Sequence, residues 1–187
     1  MRTTNMKQLL HLTLICFAVL ICACNQAGEE PGKSDKADNT SHLGDPHAHS
    51  HTPHVGVMAA FKEGGKDVGF VELKLHDDKG DLELWITTDQ KGKEPFDLPL
   101  DAVIKVQLPK LEKTVELKVR NTEKNEDEDG NGNIRDGKTN YFIFPGDTGA
   151  DAKFLMGKDF SSEAIISFEL DGKSYTSEGF ALEPHVH

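Results

Sequence analysis

Residues 70–87 read FVELKLHDDKGDLELWIT, and this stretch decides the fold class. Apolar and polar side chains alternate strictly from Val71 to Leu75, and the alternation resumes from Leu82 to Ile86. Between the two runs lies Asp77–Gly80, whose residue types favour a tight turn. Because successive side chains of a strand point to opposite faces, the stretch predicts a β-hairpin with one apolar and one polar face.

The same period of two recurs along the chain from residue 55 onward. It predicts strands at Val55–Phe61, Phe70–His76, Leu82–Thr87, Ala102–Leu108, Thr114–Arg120, Tyr141–Phe144, Ala164–Leu170, Lys173–Thr176 and Phe180–Leu182. No segment shows a long helical period, although Lys153–Asp159 could form one helical turn. We therefore predict an all-β domain over residues 55–187, an antiparallel β-sandwich of about eight short strands, with an open barrel as the alternative.

Two residues on the polar face of the hairpin need separate interpretation. Trp85 lies opposite the apolar side chains of its strand, and we expect it to be a structural residue buried at a sheet edge. His76 ends the first strand next to the turn, and we expect it to be solvated rather than a ligand.

Residues 1–23 have the pattern of a bacterial export signal. A short basic start is followed by the apolar run Leu9–Ile21, which is shorter than the about 20 residues of a transmembrane helix. Residues 21–24 read ICAC and resemble a lipobox with Cys24 as the acceptor. We predict lipidation of Cys24, and more than one acyl chain gives stable membrane anchoring. A plain secretory signal is the alternative.

Residues 24–54 are predicted to be a disordered tether that carries a histidine run. Gln26–Thr40 has no large apolar side chain and is rich in Gly, Pro, Asp and Lys, so it cannot bury a core. Residues 42–54 then read HLGDPHAHSHTPH and hold five of the nine histidines of the chain.

The spacing of this run suits metal binding. His47, His49 and His51 alternate, so in an extended chain their imidazoles face one side about 6.6 Å apart, and two neighbours can reach one ion. His54 follows directly after a proline. The chain has no cysteine after Cys24, so a metal site in the folded part must use nitrogen and oxygen ligands. Imidazole suits Zn²⁺, Cu²⁺ and Ni²⁺.

A second histidine pair, His185 and His187, lies near the last predicted strand. The start of one antiparallel strand lies beside the end of its partner. Pairing of the first and last strands would therefore place His51 and His54 next to this second pair. The expected metal ligands are His47, His49, His51, His54, His185 and His187. A solvated linker with incidental histidines is the alternative.

The acidic segment Asn125–Asp136 reads NEDEDGNGNIRD and resembles the start of a calcium-binding loop. Oxygen ligands at alternate positions precede a glycine, as in an EF-hand loop. One register places Lys138 where a bidentate acid is required, and the other misplaces Gly132. The candidate calcium ligands are Asp127, Asp129, Asn131 and Asp136. A solvated hairpin loop is the alternative.

Charge and motif content restrict the function. The 187 residues carry a formal net charge of −11, which becomes −13 without residues 1–23, because that segment holds two basic residues and no acid. Nucleic acid binding needs Lys and Arg at the phosphates, so we expect none. The chain has no Gly-rich phosphate loop, G-x-S-x-G or H-E-x-x-H motif, and we expect no enzymatic activity.

Phe70–Trp85, preceded by the histidine run, is similar to a group of small exported bacterial lipoproteins with a His-rich leader and a β-domain. A similar leader and domain are attached to some periplasmic adaptor subunits of heavy-metal efflux pumps. The resemblance covers His47 to Leu108, and departs from the pattern at Val55, where such proteins often have glycine. It implies metal handling at the cell envelope without an enzymatic reaction.

The sequence thus predicts a lipid-anchored metal-binding protein of the bacterial envelope, acting as a chaperone, buffer or sensor for zinc, copper or nickel. Its expected contacts are the membrane, through the lipid, and a metal-efflux or other envelope protein. The folded domain would lie in the periplasm or at the cell surface. The alternative is a non-enzymatic interaction module, with or without bound calcium, in which the histidines are incidental.

Overall fold

Residues 52–185, which the computed structural model describes, consist of short strands joined by turns. The strands are β1 (Val57–Glu63), β2 (Lys66–Leu75), β3 (Leu82–Thr87), β4 (Leu98–Pro99), β5 (Ile104–Leu108), β6 (Lys113–Leu117), β7 (Ile134–Arg135), β8 (Lys138–Thr139), β9 (Tyr141–Phe144), β10 (Ser162–Leu170), β11 (Lys173–Ser177) and β12 (Phe180–Leu182). Short 3₁₀ helices occur at Pro109–Leu111, Gly146–Thr148 and Lys153–Leu155. Over this part of the chain, no helix has the length and apolar character needed to cross a bilayer.

The predicted all-β, antiparallel class is confirmed. Each strand expected from the alternation is present, with its ends displaced by at most four residues. The alternation missed β4, β7 and β8, which have two residues each and are too short to show a period. The turn expected near Lys153 is a single 3₁₀ turn.

The main sheet curls into a nearly closed barrel. Its strand order is β6-β5-β10-β11-β1-β2-β3-β9, and β12 pairs with the first part of β10. Its two edges meet beyond β6, where the Lys118 amide donates to the Ile143 carbonyl at 3.1 Å and the Ile143 amide donates back at 2.8 Å. This closure satisfies backbone groups that an open edge would expose. A second sheet, β4-β8-β7, lies apart from the ring.

The apolar face predicted from the hairpin sequence lies inside the barrel and forms part of its core. Leu84 is fully buried and pairs with Leu73 on one side and with Phe142 on the other. Complete burial of one such side chain contributes about 1.5–3 kcal/mol. The core joins apolar residues of all the long strands, so the interior is a filled core.

The outer face of β2, β3 and β9 is also buried, which the alternation did not predict. Glu72, Lys74, Glu83, Trp85 and Tyr141 are each at most 5% exposed. On this face Trp85, Tyr141 and Ile143 form a small apolar cluster outside the barrel. The expected burial of Trp85 is therefore confirmed.

Two segments contact this outer face. The acidic insert between β6 and β9 reaches it through an ion pair between Glu128 and Lys74. The segment before β1 reaches it through Glu72, whose Oε1 accepts hydrogen bonds from the amides of His54 and Gly56, both at 2.9 Å. These contacts make the outer face of the hairpin a second, polar interior.

Asn125 anchors the insert to the barrel. It is fully buried with a positive φ of 47°, a conformation that asparagine tolerates better than most residues. Its Nδ2 donates to Thr139 Oγ1 at 2.9 Å and to the Tyr141 carbonyl at 2.8 Å. Its Oδ1 accepts a hydrogen bond from the Arg120 amide at 2.9 Å.

Replacement of Asn125 by alanine should lower the free energy of unfolding by about 2–4 kcal/mol, because each buried partner left unsatisfied costs about 1–3 kcal/mol. Urea denaturation measures the loss. Asn131→Ala, at an exposed position of the same insert, is the matched control and should change stability by less than about 0.5 kcal/mol. Equal losses in the two variants would contradict the anchoring role.

Candidate metal centre

The candidate site lies on the outer face, where the β2–β3 hairpin turns. Lys74 and Glu83 are direct cross-strand partners, and His76 follows β2 two residues further along the same face. The His76 amide donates to the Asp81 carbonyl at 2.9 Å, and the Gly80 amide donates to the His76 carbonyl at 2.9 Å. Gly80 has a positive φ of 72°, which suits glycine. The turn chemistry thus fixes the backbone of His76.

Three potential ligand atoms converge beside this turn. His76 Nε2 lies 3.0 Å from Glu83 Oε2 and 3.4 Å from Glu128 Oε2. A tetrahedral ion with bonds of about 2.1 Å keeps its ligand atoms about 3.4 Å apart, so this spacing suits a metal ion. Within residues 52–185, no other group of three His, Cys, Asp or Glu side chains has ligand atoms within 4.8 Å of one another.

Each carboxylate is held through its other oxygen. The Tyr141 hydroxyl donates to Glu83 Oε1, and the Lys74 ammonium group donates to Glu128 Oε1. Both donors are buried, with Tyr141 fully covered and Lys74 only 5% exposed. Such outer hydrogen bonds orient the ligands of metal sites. One oxygen of each carboxylate is therefore left to face His76.

Hydrogen bonding controls the protonation of the site. The hydrogen bond to Glu83 raises the pKa of His76, against the opposing effect of burial. Burial alone would raise the pKa of Glu83, but hydrogen bonds from His76 and Tyr141 outweigh it and lower that pKa. Burial, together with the charge of Glu83, raises the pKa of Tyr141, so its hydroxyl stays a donor. The proton on His76 Nε2 thus occupies a place that a cation could take.

An open pocket of about 420 Å³ leads to His76 from solvent. Two basic residues line it, Lys79 and Arg120. The five carboxylates in its lining belong to Asp78, Asp81, Glu126, Asp127 and Glu128. Burial raises the pKa of Asp81, and the nearby His76 partly offsets this. The excess of carboxylates favours the entry of cations over anions.

The expectation that His76 is solvated is wrong, because the residue is only 8% exposed. The pairing of β2 with β3 brings it to Glu83, and the insert covers both residues. A sequence signal for half of the site existed, because a tight turn between Leu75 and Leu82 places His76 and Glu83 on one face. No sequence pattern connects Glu128 to this hairpin.

Most of the predicted metal and lipid positions, namely Cys24, His47, His49, His51 and His187, lie outside the described residues.

His54 and His185, the two described histidines of the predicted set, contact β2–β3 at different points. The His54 ring stacks on Trp85 with ring centroids 3.9 Å apart, and its amide bonds to Glu72. His185 pairs with His76, four residues beyond Glu72, or about 13 Å along an extended strand. β12 pairs with β10, and β1 pairs with β11 and β2. The joint site of His51, His54, His185 and His187 stays a prediction.

Three of the four predicted calcium ligands, Asp127, Asp129 and Asn131, form a self-contained turn. Asp127 Oδ1 accepts hydrogen bonds from the Asn131 amide at 2.8 Å and the Asp129 amide at 3.1 Å. Asp127 Oδ2 accepts one from Asn133 Nδ2 at 3.3 Å. Asp136 lies in the turn between β7 and β8 and has a positive φ of 48°. The Asp127 carboxylate thus already accepts hydrogen bonds from the backbone of the loop. Calcium binding stays a prediction.

Searches of known protein families, curated proteins and solved structures found no match to this chain.

The raised pKa of His76 and the lowered pKa of Glu83 predict how the stability of the fold depends on pH. The raised pKa of His76 gives stability that is complete below the ordinary value of 6.5 and is lost as pH rises through the raised pKa. The lowered pKa of Glu83 gives stability that is complete above the ordinary value of 4.5 and is lost as pH falls through the lowered pKa.

Urea denaturation in the presence of a chelator should therefore show that the His76–Glu83 pair stabilises the fold most between about pH 4.5 and pH 6.5, the ordinary pKa values of the two groups. In His76→Asn, which cannot be protonated, the decline on the alkaline side should disappear. Parallel pH profiles for the parent and His76→Asn above the ordinary pKa of His76 would contradict the coupling.

Proposed function

We propose that the protein binds a divalent transition-metal ion, Zn²⁺, Cu²⁺ or Ni²⁺, at the bacterial cell envelope. The observation that carries the proposal is the convergence of His76 Nε2 with one oxygen each of Glu83 and Glu128. Imidazole nitrogen and carboxylate oxygen are both ligand types that zinc takes in proteins. Binding replaces the proton on His76 Nε2 with the ion, while Tyr141 and Lys74 keep the carboxylates in position.

The histidine run of the leader is proposed to capture ions near this centre. The backbone that connects the leader to β1 is fixed at Glu72, on the same face of β2 as Lys74 and His76. His47, His49 and His51 then lie three to seven residues before His54, a contour of roughly 10–25 Å. This arrangement supports a chaperone, buffer or sensor that gathers ions at the leader.

The envelope location rests on the sequence. The basic start, the apolar run and Cys24 together favour export and lipidation, and a lipid anchor would keep the domain near envelope partners such as metal-efflux proteins.

Metal titration of residues 25–187, purified without a histidine tag, tests the function. The compact unit Pro46–His187 holds every described strand, so this chain keeps the domain intact. The sole tryptophan, Trp85, lies 5.1 Å from the Tyr141 ring and reports on the centre by fluorescence. With His47, His49 and His51 replaced by Asn, Zn²⁺ should still bind stoichiometrically with a dissociation constant below about 1 μM.

Adding His76→Asn to that background should weaken Zn²⁺ binding at least about 100-fold, because it removes a direct ligand and the loss of an outer hydrogen-bond partner alone costs about 10–100-fold. Asn is chosen because it is polar and cannot replace the imidazole. His42→Asn, a histidine outside the predicted ligand set, is the control and should leave the affinity unchanged. Millimolar binding in the parent would instead favour an interaction module with incidental histidines.

Lipidation is tested separately with Cys24→Ala. The parent should partition into the detergent phase of a Triton X-114 extraction, because its acyl chains are apolar. Cys24→Ala should appear in the aqueous phase or accumulate as an uncleaved precursor. Cys22→Ala, two residues earlier, is the matched control and should partition as the parent does. Equal partitioning of Cys24→Ala and the parent would contradict lipidation at this residue.

A further inference from the structure

The C-terminal tail reaches the edge of the candidate metal centre. After β12 the chain passes the end of β2, and the His185 amide donates to the Leu75 carbonyl oxygen at 2.8 Å. This bond belongs to a parallel β-bridge between His185 and His76. Neighbouring strands lie about 4.7–4.9 Å apart, so the two histidines are side by side.

The β-bridge shows which face His185 occupies. Residues paired across neighbouring strands point to the same face of a sheet, so His185 shares a face with His76. This is the outer face of the barrel, because Leu75, the neighbour of His76, points into the core.

We propose that His185 is the fourth ligand of the metal ion held by His76, Glu83 and Glu128, and that the ion fastens the C-terminal tail to β2. The inference rests on the metal binding proposed above. The His185 imidazole does not belong to the group whose ligand atoms lie within 4.8 Å of one another. It reaches the ion by rotation between side-chain rotamers, and the backbone bridge stays as it is.

A fourth protein ligand gives the centre a closed coordination shell. Three protein ligands and one water are typical of catalytic zinc sites, whereas four protein ligands are typical of structural sites. Two neutral imidazoles and two carboxylates also balance the charge of a divalent ion, which reduces the cost of holding it away from water. A ligand on the tail contributes only when the tail is docked, so metal binding and docking stabilise each other.

Amide hydrogen exchange at residue 185 tests the fastening directly. Residues 25–187 with His47, His49 and His51 replaced by Asn are compared with and without saturating Zn²⁺. Zn²⁺ should slow exchange of the amide of residue 185 at least about tenfold, because local opening then requires release of the ion. His185→Ala keeps this amide and removes the imidazole, so Zn²⁺ should no longer slow the exchange.

The same variants are titrated with Zn²⁺ and with Co²⁺. His185→Ala should bind Zn²⁺ at least about tenfold more weakly and should lose the intense visible absorption of tetrahedral Co²⁺. Glu183→Ala changes an exposed residue two positions earlier in the tail, and is the matched control that should behave as the parent.

The outcomes separate the two proposals. Unchanged Zn²⁺ affinity in His185→Ala, with weakened binding in His76→Asn, would overturn the fourth ligand and leave the three-ligand centre standing. Unchanged affinity in both variants would overturn the metal centre itself. Slowed exchange at residue 185 in His185→Ala as well as in the parent would show that the ion acts on the tail without this imidazole, which also overturns the inference.

Discussion

Glu83 is a buried carboxylate on the outer face of the barrel. The residues packed on that face depend on one constraint, which is that the charge of Glu83 must be compensated. Removal of a carboxylate from water costs several kcal/mol unless charges and hydrogen bonds compensate. The Tyr141 hydroxyl donates a hydrogen bond to one oxygen of Glu83, and His76 is hydrogen-bonded to the other. These bonds place a donor on each side of the carboxylate, and they leave its second oxygen directed at a single point near the turn.

Glu128 connects the acidic insert to His76, beside the carboxylate of Glu83. One of its oxygens pairs with Lys74, a lysine that is only 5% exposed, and the other faces His76. Opening of the insert would therefore break the Lys74 ion pair and remove a potential ligand in one event. Buried polar networks of this kind are strong only when every member is satisfied, so the insert and the centre should open and close as one unit.

The antiparallel strands and their apolar core were predictable from sequence, although the sequence favoured a sandwich over the barrel; the centre was predictable only in part, for a different physical reason. Alternation from Val71 to Leu75 and, apart from Trp85, from Leu82 to Ile86 reflects one apolar face, and the core of the barrel follows from it. The same alternation suggested a solvated opposite face, as is common in antiparallel sheets. That face is buried because a distant insert folds over it, and Glu128 lies 54 residues from its partner Lys74. Contacts across such a separation leave no period in the sequence.

The donor set also distinguishes between the ions proposed. Monovalent copper prefers thiolates and thioethers, and the group of His76, Glu83 and Glu128 offers no sulfur, so its nitrogen and oxygen ligands favour divalent ions. Cu²⁺ and Ni²⁺ favour square-planar or tetragonal arrangements, whereas Zn²⁺ has no geometric preference from its d electrons. Ligands at His76 and Glu128 are anchored on separate segments, one on a hairpin and one on an insert. An ion that tolerates irregular angles would fit such a site with the least movement of the anchored carboxylates, and on this ground we propose zinc ahead of copper and nickel.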